Sequence, residues 1–390
     1  MKVLILNLSD KFGGAANSTL RIFRSLQKKK GLKIYLYVKK KNISHNKIIE
    51  QSRFIYFITK LTEIFLKKIF HFNSPNFHSY NLIPTDIKKV IKKINPDIIQ
   101  LHWIGQNTVS IKDFAVFNKP IIWRLSDMWP ILATQHYDLK KKNSNFFFDI
   151  DKYVLNLKKK YFNEKIVYIA PSKWLKLKLD KSIITKKNKK FIIPNVIDTS
   201  FWKPLKNKTI NKKYNPNNKI IILFGATLIN DPRKGFNFLL QSLKSLKLNY
   251  QVNIFGHIND KKFKEKILKN KNINYLGNIM NDKELRDIYS ASDIVVIPSL
   301  RDNSPNILFE ANACGVPVVA FGNTGTKDFI IHKKTGWLSK YKNSQDFNKG
   351  IMWSIKNRIF LKKNVRRHCI LNFSEPAVSK MYTNIYKRVI

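Results

Sequence analysis

Three stretches carry residue types that could hold a phosphate or move a charge. The strongest is IPSLRDNSPNILFEANACGVPVVAFG at 297–322. A β-like run ends at Ser299, a loop rich in Asn, Ser and Pro follows, and a helix is expected from about Asn306. Backbone N–H groups at Asn306, Ile307 and Leu308 would point from that helix start toward an anion. Asp302 and Glu310 stand eight positions apart across the loop and helix start. That spacing can bring both carboxylates to one pocket, the first near a transferring group and the second near a ribose. The next stretch, GATLINDPRKGFNFLLQSL at 225–243, puts Arg233 and Lys234 in the loop after a strand expected to end at Phe224. Adjacent cations there suit a diphosphate, with Lys as a point charge and Arg as a fork. The third, NLSDKFGGAANSTLRI at 7–22, sets Gly13 and Gly14 before a helix that Asn17 or Ser18 could cap. Two glycines let backbone approach a ligand closely, and the helix start offers unpaired N–H groups. The pattern is not G-x-G-x-x-G, and no acidic ribose partner follows about 20 residues on, so it argues against a dinucleotide fingerprint. No carboxylate pair stands where it would hold Mg²⁺ in this layout, so no metal is expected.

Apolar runs of four to eight residues position these loops. In the first half they are KVLILNL (2–8), KIYLYV (33–38), DIIQLHW (97–103), PIIWRL (120–125), KIVYIA (165–170) and FIIP (191–194). Helical patterns fall at 19–27 and 86–94. The second half restarts the rhythm with KIIILFGAT (219–227), QVNIFG (251–256), INYLG (273–277), DIVVIP (293–298) and PVVAFG (317–322). Such runs between helices imply parallel sheets covered on both faces. The stretch 193–218, with its prolines and many Asn, shows neither period and reads as a linker. The fold class is therefore α/β, with two doubly wound domains and a ligand cleft beyond the carboxyl ends of their strands.

The 390 residues are 44% hydrophobic and 13% aromatic, which supports large cores and excludes a disordered or fibrous chain. No apolar run reaches the roughly 18 residues of a spanning helix, and Met1 leads directly into a strand, so neither a membrane span nor a signal peptide is expected. Two cysteines, Cys314 and Cys369, cannot build a disulfide framework or a Cys-rich zinc site. The chain reads as reduced and cytoplasmic. Lys and Arg number 73 against 25 Asp and Glu, a formal net charge of +48. That excess attracts phosphates, anionic lipid and nucleic acid. The lysines are scattered, as in KKKGLK (28–33), KKKNSN (140–145), ITKKNKKF (184–191) and LKNKN (268–272), within a chain rich in Asn and Ile. No basic arm, finger spacing or RNP-type motif accompanies them, so composition drift plus attraction to an anionic membrane is preferred over nucleic-acid binding. Residues 52–72 are unusual. On a helix, Arg53, Lys60, Glu63 and Lys67 form one polar stripe, and Phe54, Phe57, Ile58, Leu61, Phe65 and Ile69 fill much of the rest. Two readings stand: a helix half-buried in the N-terminal core, or an interfacial helix on anionic lipid that could guide a lipid-linked substrate.

Taken in order, the motifs resemble a family-4 (group 1) retaining glycosyltransferase of the GT-B fold, close to the branch that builds colanic acid, O-antigen and capsule. The matching pieces are FGGAA (12–16), PDIIQLHWIG (96–105), KPIIWRLSDMWP (119–130), HY (136–137), IPNVIDTSFWKP (193–204), FGATLINDPRKGF (224–236), DNSPNILFEANACGVPVVAF (302–321), GTKDFIIHKKTGWL (325–338) and the terminal FSEPAVSKMYTNIYKRVI (373–390). The resemblance implies an acceptor-binding domain over 1–192, a nucleotide-sugar-binding domain over 193–372, and a C-terminal helix, 373–390, that returns to the first domain. It implies that Gly13 and Gly14 lie against the donor phosphates and the acceptor. Arg233 and Lys234 would stabilise the leaving nucleoside diphosphate, and Glu310 would bind the donor ribose. Asp302 fills the position of the first family Glu with a shorter side chain. Ser126 replaces the family His that contacts the transferred sugar, leaving Asp127, His102 and His136 as nearby polar groups, the two histidines on the acceptor side. Gly225 is followed by Ala226 and Thr227 where the family usually has Arg. The implied reaction moves a sugar from a nucleotide donor to a glycan or lipid-linked glycan, with retention, no enzyme nucleophile and no metal or other cofactor. A site of action on the inner face of the cell membrane would fit. The rival readings are a degenerate GT-B scaffold, for which Ser126 speaks, and a GT-B sugar-nucleotide epimerase.

Overall fold

The computed structural model describes residues 1–71, 74, 77–138, 149–205 and 207–390. The basic cluster at 140–145 and the last residue of the 52–72 stretch lie outside the described residues. The chain divides into two compact units, one of Met1–Pro194 with Ser379–Ile390, the other of Asn195–Val378.

The first unit is built on a parallel sheet of seven strands among the described residues: β1 (Lys2–Ser9), β2 (Lys33–Lys40), β3 (Ile48–Glu50), β4 (Ile98–Leu101), β5 (Ile121–Arg124), β6 (Val167–Ala170) and β7 (Lys190–Ile192). Their order is β3-β2-β1-β4-β5-β6-β7, a doubly wound arrangement that reverses direction at β1. Every residue of β4, β5 and β6 is buried, as expected of strands covered on both faces. The helices are α1 (Gly14–Gln27), α2 (Arg53–Phe70), α3 (Ile87–Ile94), α4 (Ile150–Tyr161) and α5 (Lys173–Lys181). In α3, Ile87 and Ile91 face the core and lysines face water, and the helix ends on Asn95 in the left-handed region at φ 46°. Ser172 starts α5 by accepting from the N–H of Leu175 at 3.1 Å.

The second unit repeats the plan with six parallel strands among the described residues: β8 (Ile220–Leu228), β9 (Tyr250–His257), β10 (Ile273–Tyr275), β11 (Ile294–Ile297), β12 (Val318–Phe321) and β13 (Gly336–Ser339). The order is β10-β9-β8-β11-β12-β13. Its helices are α6 (Lys208–Tyr214), α7 (Phe236–Leu243), α8 (Lys261–Leu268), α9 (Asp282–Ser290), α10 (Asn306–Ala313), α11 (Ser344–Lys356) and α12 (Arg358–Phe373); α13 (Glu375–Val389) begins here and belongs to the first unit from Ser379.

Four sequence expectations need correction. The 193–218 stretch is not a linker. Ile197 and Trp202 are core residues, Arg366 Nη1 donates to the Trp202 carbonyl at 3.0 Å, and 208–214 is α6. A Pro- and Asn-rich segment can pack through a few large apolar residues without either regular period. Helix α1 starts at Gly14, with Gly13 as its cap and no side-chain cap, so Asn17 and Ser18 lie inside it. Strand β8 continues past Phe224 to Leu228 because a register shift between Gly225 and Leu228 prolongs its pairing with β9.

The last correction concerns α2. Its polar stripe does not face water as a whole: Glu63 turns into the protein. The carboxylate accepts from the backbone N–H groups of Tyr80, at 3.1 Å to each oxygen, and Asn81, at 2.9 Å. At its end, His71 Nδ1 meets the Tyr80 hydroxyl at 2.8 Å, and its ring stacks on His78 with centroids 3.7 Å apart. Burial pushes the Glu63 carboxyl up to about 7, against the opposing pull of the Asn81 and Tyr80 N–H groups and the charge of Lys39.

A folded-state carboxyl raised this way favours folding below its unfolded value, and the benefit is lost as pH rises toward 7. The stability difference between Glu63→Gln and wild type should therefore shift in favour of the variant by about 3 kcal/mol between pH 4.5 and pH 8. Urea unfolding of both proteins across that range checks it; parallel curves would refute the assignment.

Candidate active site

In the second unit the basic pair sits on a tight turn. Asp231 caps a single 3-10 turn, Pro232–Lys234, by accepting from the Arg233 N–H at 2.9 Å. The same carboxylate takes Arg233 Nε at 3.1 Å and Nη2 at 2.5 Å, so the guanidinium lies folded onto the turn. Gly235, at φ +70°, closes the turn and opens α7. A Cβ there would lie 1.9 Å from the Pro298 carbonyl oxygen. No side chain fits in that approach. It is reinforced by the Leu300 N–H donating to the Arg233 carbonyl at 2.7 Å. The turn is thus held against the loop that follows β11, and Lys234 Nζ reaches Asp302 Oδ2 at 2.7 Å.

Asp302 is buried, and its loop is pinned from the other side. The Gly325 N–H donates to the Asp302 carbonyl at 2.9 Å, and a Cβ on Gly325 would lie 1.8 Å from the Asn303 carbonyl oxygen. Helix α10 follows, capped by Pro305 with no side-chain cap hydrogen bond. Asn195 Nδ2 bonds the Ser304 carbonyl and Asn306 Oδ1, each at 2.9 Å, and fixes the entry. Ile307 is half-buried and Leu308 fully buried, so the Leu308 side chain belongs to the core and is closed to a ligand. Glu310 lies farther along α10, buried, and accepts from the Tyr289 hydroxyl at 2.7 Å. Burial and the neighbouring Glu310 charge raise the Cys314 thiol, which fits a structural rather than a reactive cysteine.

In the first unit, Gly13 and Gly14 stand at the β1-to-α1 turn. Gly13 has φ +91°, and a Cβ built there meets nothing within 4 Å, so the space in front of the turn is open. The β5 end carries the second group. Arg124 is fully buried and donates to Ser126 Oγ at 3.1 Å. Asp127 Oδ2 accepts from His136 Nδ1 at 2.6 Å and from the Trp103 indole at 2.5 Å, and Oδ1 from the Trp129 N–H at 3.0 Å. Burial pushes the Asp127 carboxyl up, but His136 and these donors outweigh it and hold the group below the ordinary carboxylate range. The other nitrogen of His136 meets Ser79 Oγ at 2.8 Å, and its ring stacks on Trp103 at 5.1 Å. A small pocket, large enough for about one water, is lined here by Trp103, Gly105, Ser126, Asp127, Trp129 and His136. Lys158 closes the turn beneath it. Its ammonium donates to the carbonyls of Trp129, Leu132 and Ala133 at 2.5, 2.9 and 2.7 Å, and lies 3.5 Å over the Trp129 ring.

His102 is placed differently from the acceptor contact expected of it. Gln100 Nε2 donates to His102 Nε2 at 2.7 Å, so Nδ1 carries the proton and gives it to Thr19 Oγ1 at 3.0 Å. Thr19 in turn donates to the Ala15 carbonyl at 2.8 Å. Burial, and then the Arg124 charge, hold the imidazole well below its ordinary pKa. The ring ties the start of α1 to β4, and an acceptor contact would have to break one of those bonds.

The structure thus joins Lys234 to Asp302 in the second unit, with the Arg233 guanidinium held on Asp231 of the same turn, and brings together Ser126, Asp127 and His136 in the first. Sequence reading missed Asp231, Asn195, Tyr289, Ser79, Trp103 and Lys158. Only Asp231 carried a local signal, an Asp-Pro turn start. Outside both groups, His71, His78 and Asp151 bring metal-ligating atoms within 4.8 Å of one another. There, Ser74 and Thr134 engage the two nitrogens of His78 at 2.9 and 2.8 Å.

Two doubly wound units, one holding a cationic turn beside an uncapped helix start, define the GT-B class. Comparisons with known proteins agree. Residues 206–372 match the family described as glycosyl transferases group 1. A Campylobacter jejuni N,N'-diacetylbacillosaminyl-diphospho-undecaprenol alpha-1,3-N-acetylgalactosaminyltransferase is 25% identical over 78% of this chain and 80% of its own. An uncharacterized 41.2 kDa protein in the cps region of Klebsiella pneumoniae is 27% identical over 82% of this chain and 87% of its own. An uncharacterized Haemophilus influenzae glycosyltransferase is 28% identical over 36% of this chain, and there the match spans 43% of the relative. Among solved structures, sucrose-phosphate synthase from Thermosynechococcus elongatus superposes with a TM-score of 0.74 at 16% identity, covering 100% of this chain and 99% of the other. The Anabaena protein HepE in complex with UDP-glucose gives 0.68 at 16% identity, with both chains fully covered. The match to the group 1 glycosyltransferases covers residues 206–372, and the fold of the whole chain is GT-B.

Gly235→Ala tests the backbone approach that assembles the second unit's site. The added Cβ meets a carbonyl at a left-handed position, so the variant should lose about 2 kcal/mol or more. Thermal unfolding that matched wild type would contradict the geometry.

Proposed function

We propose that the protein transfers a sugar from a nucleoside diphosphate donor to a hydroxyl of a glycan or lipid-linked glycan, with retention at the anomeric carbon, in surface polysaccharide assembly. The observation that carries this reading is Lys234 held 2.7 Å from Asp302, in the loop that leads into α10. An ammonium and a set of backbone N–H groups would then meet the same anion. The donor phosphates would draw Lys234 from Asp302, and Asp302 would turn to the hydroxyls of the transferring sugar. The C1–O bond to the diphosphate breaks while the acceptor oxygen bonds C1 from the same face. The acceptor proton passes to the departing phosphate oxygen. Arg233, Lys234 and the N–H groups at Asn306 and Ile307 stabilise the negative charge that grows on the diphosphate, which supplies electrostatically what a metal supplies elsewhere. Glu310 would hold the ribose, with Tyr289 orienting its carboxylate. Gly13 and Gly14, with open space in front of Gly13, would offer backbone to a ligand of the first unit.

The Asp127–His136 pair stands beside Ser126, the position where the family His would be. It serves as a positioning group for the loop that meets the transferred sugar. HepE was solved with UDP-glucose, and the C. jejuni relative is named for a diphospho-undecaprenol-linked acceptor. Uridine donors and undecaprenyl-diphosphate glycans are therefore the first substrates to try. A site of action on the cytoplasmic face of the membrane fits such an acceptor.

Incubation with a panel of labelled nucleotide sugars should show turnover or slow hydrolysis of at least one donor, and NMR of the product should show the donor's anomeric configuration. Lys234→Ala should lower kcat by about 100-fold, the scale of losing one transition-state charge contact. Failure with every donor would sink the reading, and unchanged turnover in the variant would remove Lys234 from it.

A further inference from the structure

We propose that α2 is a docking helix that lies flat on an anionic lipid bilayer, with its outward row of aromatic and aliphatic side chains entering the headgroup region. The inference rests on α2 itself and does not require the sugar-transfer reading to hold. Where that reading holds, it says how a lipid-linked acceptor would be met.

The helix is apolar on its outward side as well as its inward one. A helix on the surface of a globular unit turns its apolar stripe inward. In α2, Leu66 and Phe70 pack on the core beside buried Thr59, and the inward carboxylate of Glu63 is bonded to the Tyr80 and Asn81 backbone. The outward row is apolar. Phe54 is 72% exposed, Phe57 61%, Leu61 50%, Ile64 55% and Phe65 62%. Their spacing of three, four, three and one places them on one face over three turns. Single exposed apolar residues need no explanation, but a contiguous row of five on one helix marks a surface that meets something apolar.

The charges on the same helix say what that something is. Arg53, Lys60, Lys67 and Lys68 are exposed, whereas Glu63 is turned inward. The outward surface of α2 is thus apolar with a purely cationic fringe, the composition of an interfacial helix on anionic lipid. A second copy of the chain fits poorly, because pairing two such faces would set lysine fringe against lysine fringe in a protein already at +48. The helix does not span: no described helix is long and apolar enough to cross a membrane. At 18 residues α2 is about 27 Å long, enough to lie along the surface.

The test is co-sedimentation of the full-length protein with phosphatidylcholine vesicles, with and without phosphatidylglycerol, at about 150 mM salt so that loose charge attraction is screened. The expected result is binding to the phosphatidylglycerol vesicles and little to the neutral ones. A triple variant, Phe54→Ser with Phe57→Ser and Phe65→Ser, should bind about tenfold or more weakly. Its unfolding temperature should stay close to wild type, because the replaced rings face solvent. No wild-type sedimentation with anionic vesicles overturns the proposal. So does equal binding by the triple variant, which would assign the attraction to bulk charge. So does a wild-type dimer by light scattering that the triple variant converts to monomer, which would make a second copy the occupant. Should the triple variant misfold, Phe57→Cys labelled with an environment-sensitive fluorophore decides the matter: a blue shift on anionic vesicles supports docking, and none refutes it. Neither readout uses a nucleotide sugar, so a lack of donor turnover and a lack of vesicle binding are separate results.

Discussion

The close contact between the Gly235 backbone and the Pro298 carbonyl is the constraint on which the second unit's chemistry depends. Two strand-end loops, after β8 and after β11, must lie against each other for a cation from one to meet a carboxylate from the other. Side chains would hold them apart. The absence of one Cβ, with the Leu300–Arg233 backbone bond, lets the turn settle within hydrogen-bond distance of the loop. Lys234 then has one short reach, to Asp302. The parallel order of β8 and β11 makes the arrangement possible, since adjacent parallel strands deliver their following loops to the same edge.

The first unit solves a different problem, that of polar groups with no water around them. Arg124, Asp127, His102, Gln100 and Lys158 are all buried near the ends of β4 and β5. Each meets at least one named partner in place of solvent. Lys158 is the extreme case: three carbonyls and a tryptophan face replace its hydration. Burial lowers its pKa well below the ordinary value, with Asp127 and Asp151 opposing the shift. The cost of leaving any of these groups unpaired is what makes the 126–136 segment rigid.

Much of this was legible in the sequence. Alternating short apolar runs and helices gave both parallel sheets, because buried parallel strands must be continuous in apolar residues. The loop clusters around Arg233–Lys234 and Asp302–Glu310 were visible because their residue types are chemically distinctive. What escaped was long-range or conformational. Nothing local says that Asn195 will hold the start of α10, or that Tyr289 will meet Glu310. The edge strands β3 and β13 are short and gain their identity from a neighbour. The 193–218 stretch looked unstructured since Trp202 packs by size and not by period. In α2 the composition showed an amphipathic helix, but which face turns inward was decided by Glu63 finding two N–H donors some 17 residues away.

Helix α13 passes from the second unit into the first, and its last residues reach the buried network there: the Tyr386 hydroxyl donates to Gln100 at 2.5 Å, and Tyr382 partners Arg124. Gln100 is the residue that fixes the proton on His102. These tyrosines are synthesised after the whole of the second unit. During synthesis the first unit's sheet therefore waits, with a guanidinium and an amide lacking these two partners, until residues 379–390 emerge.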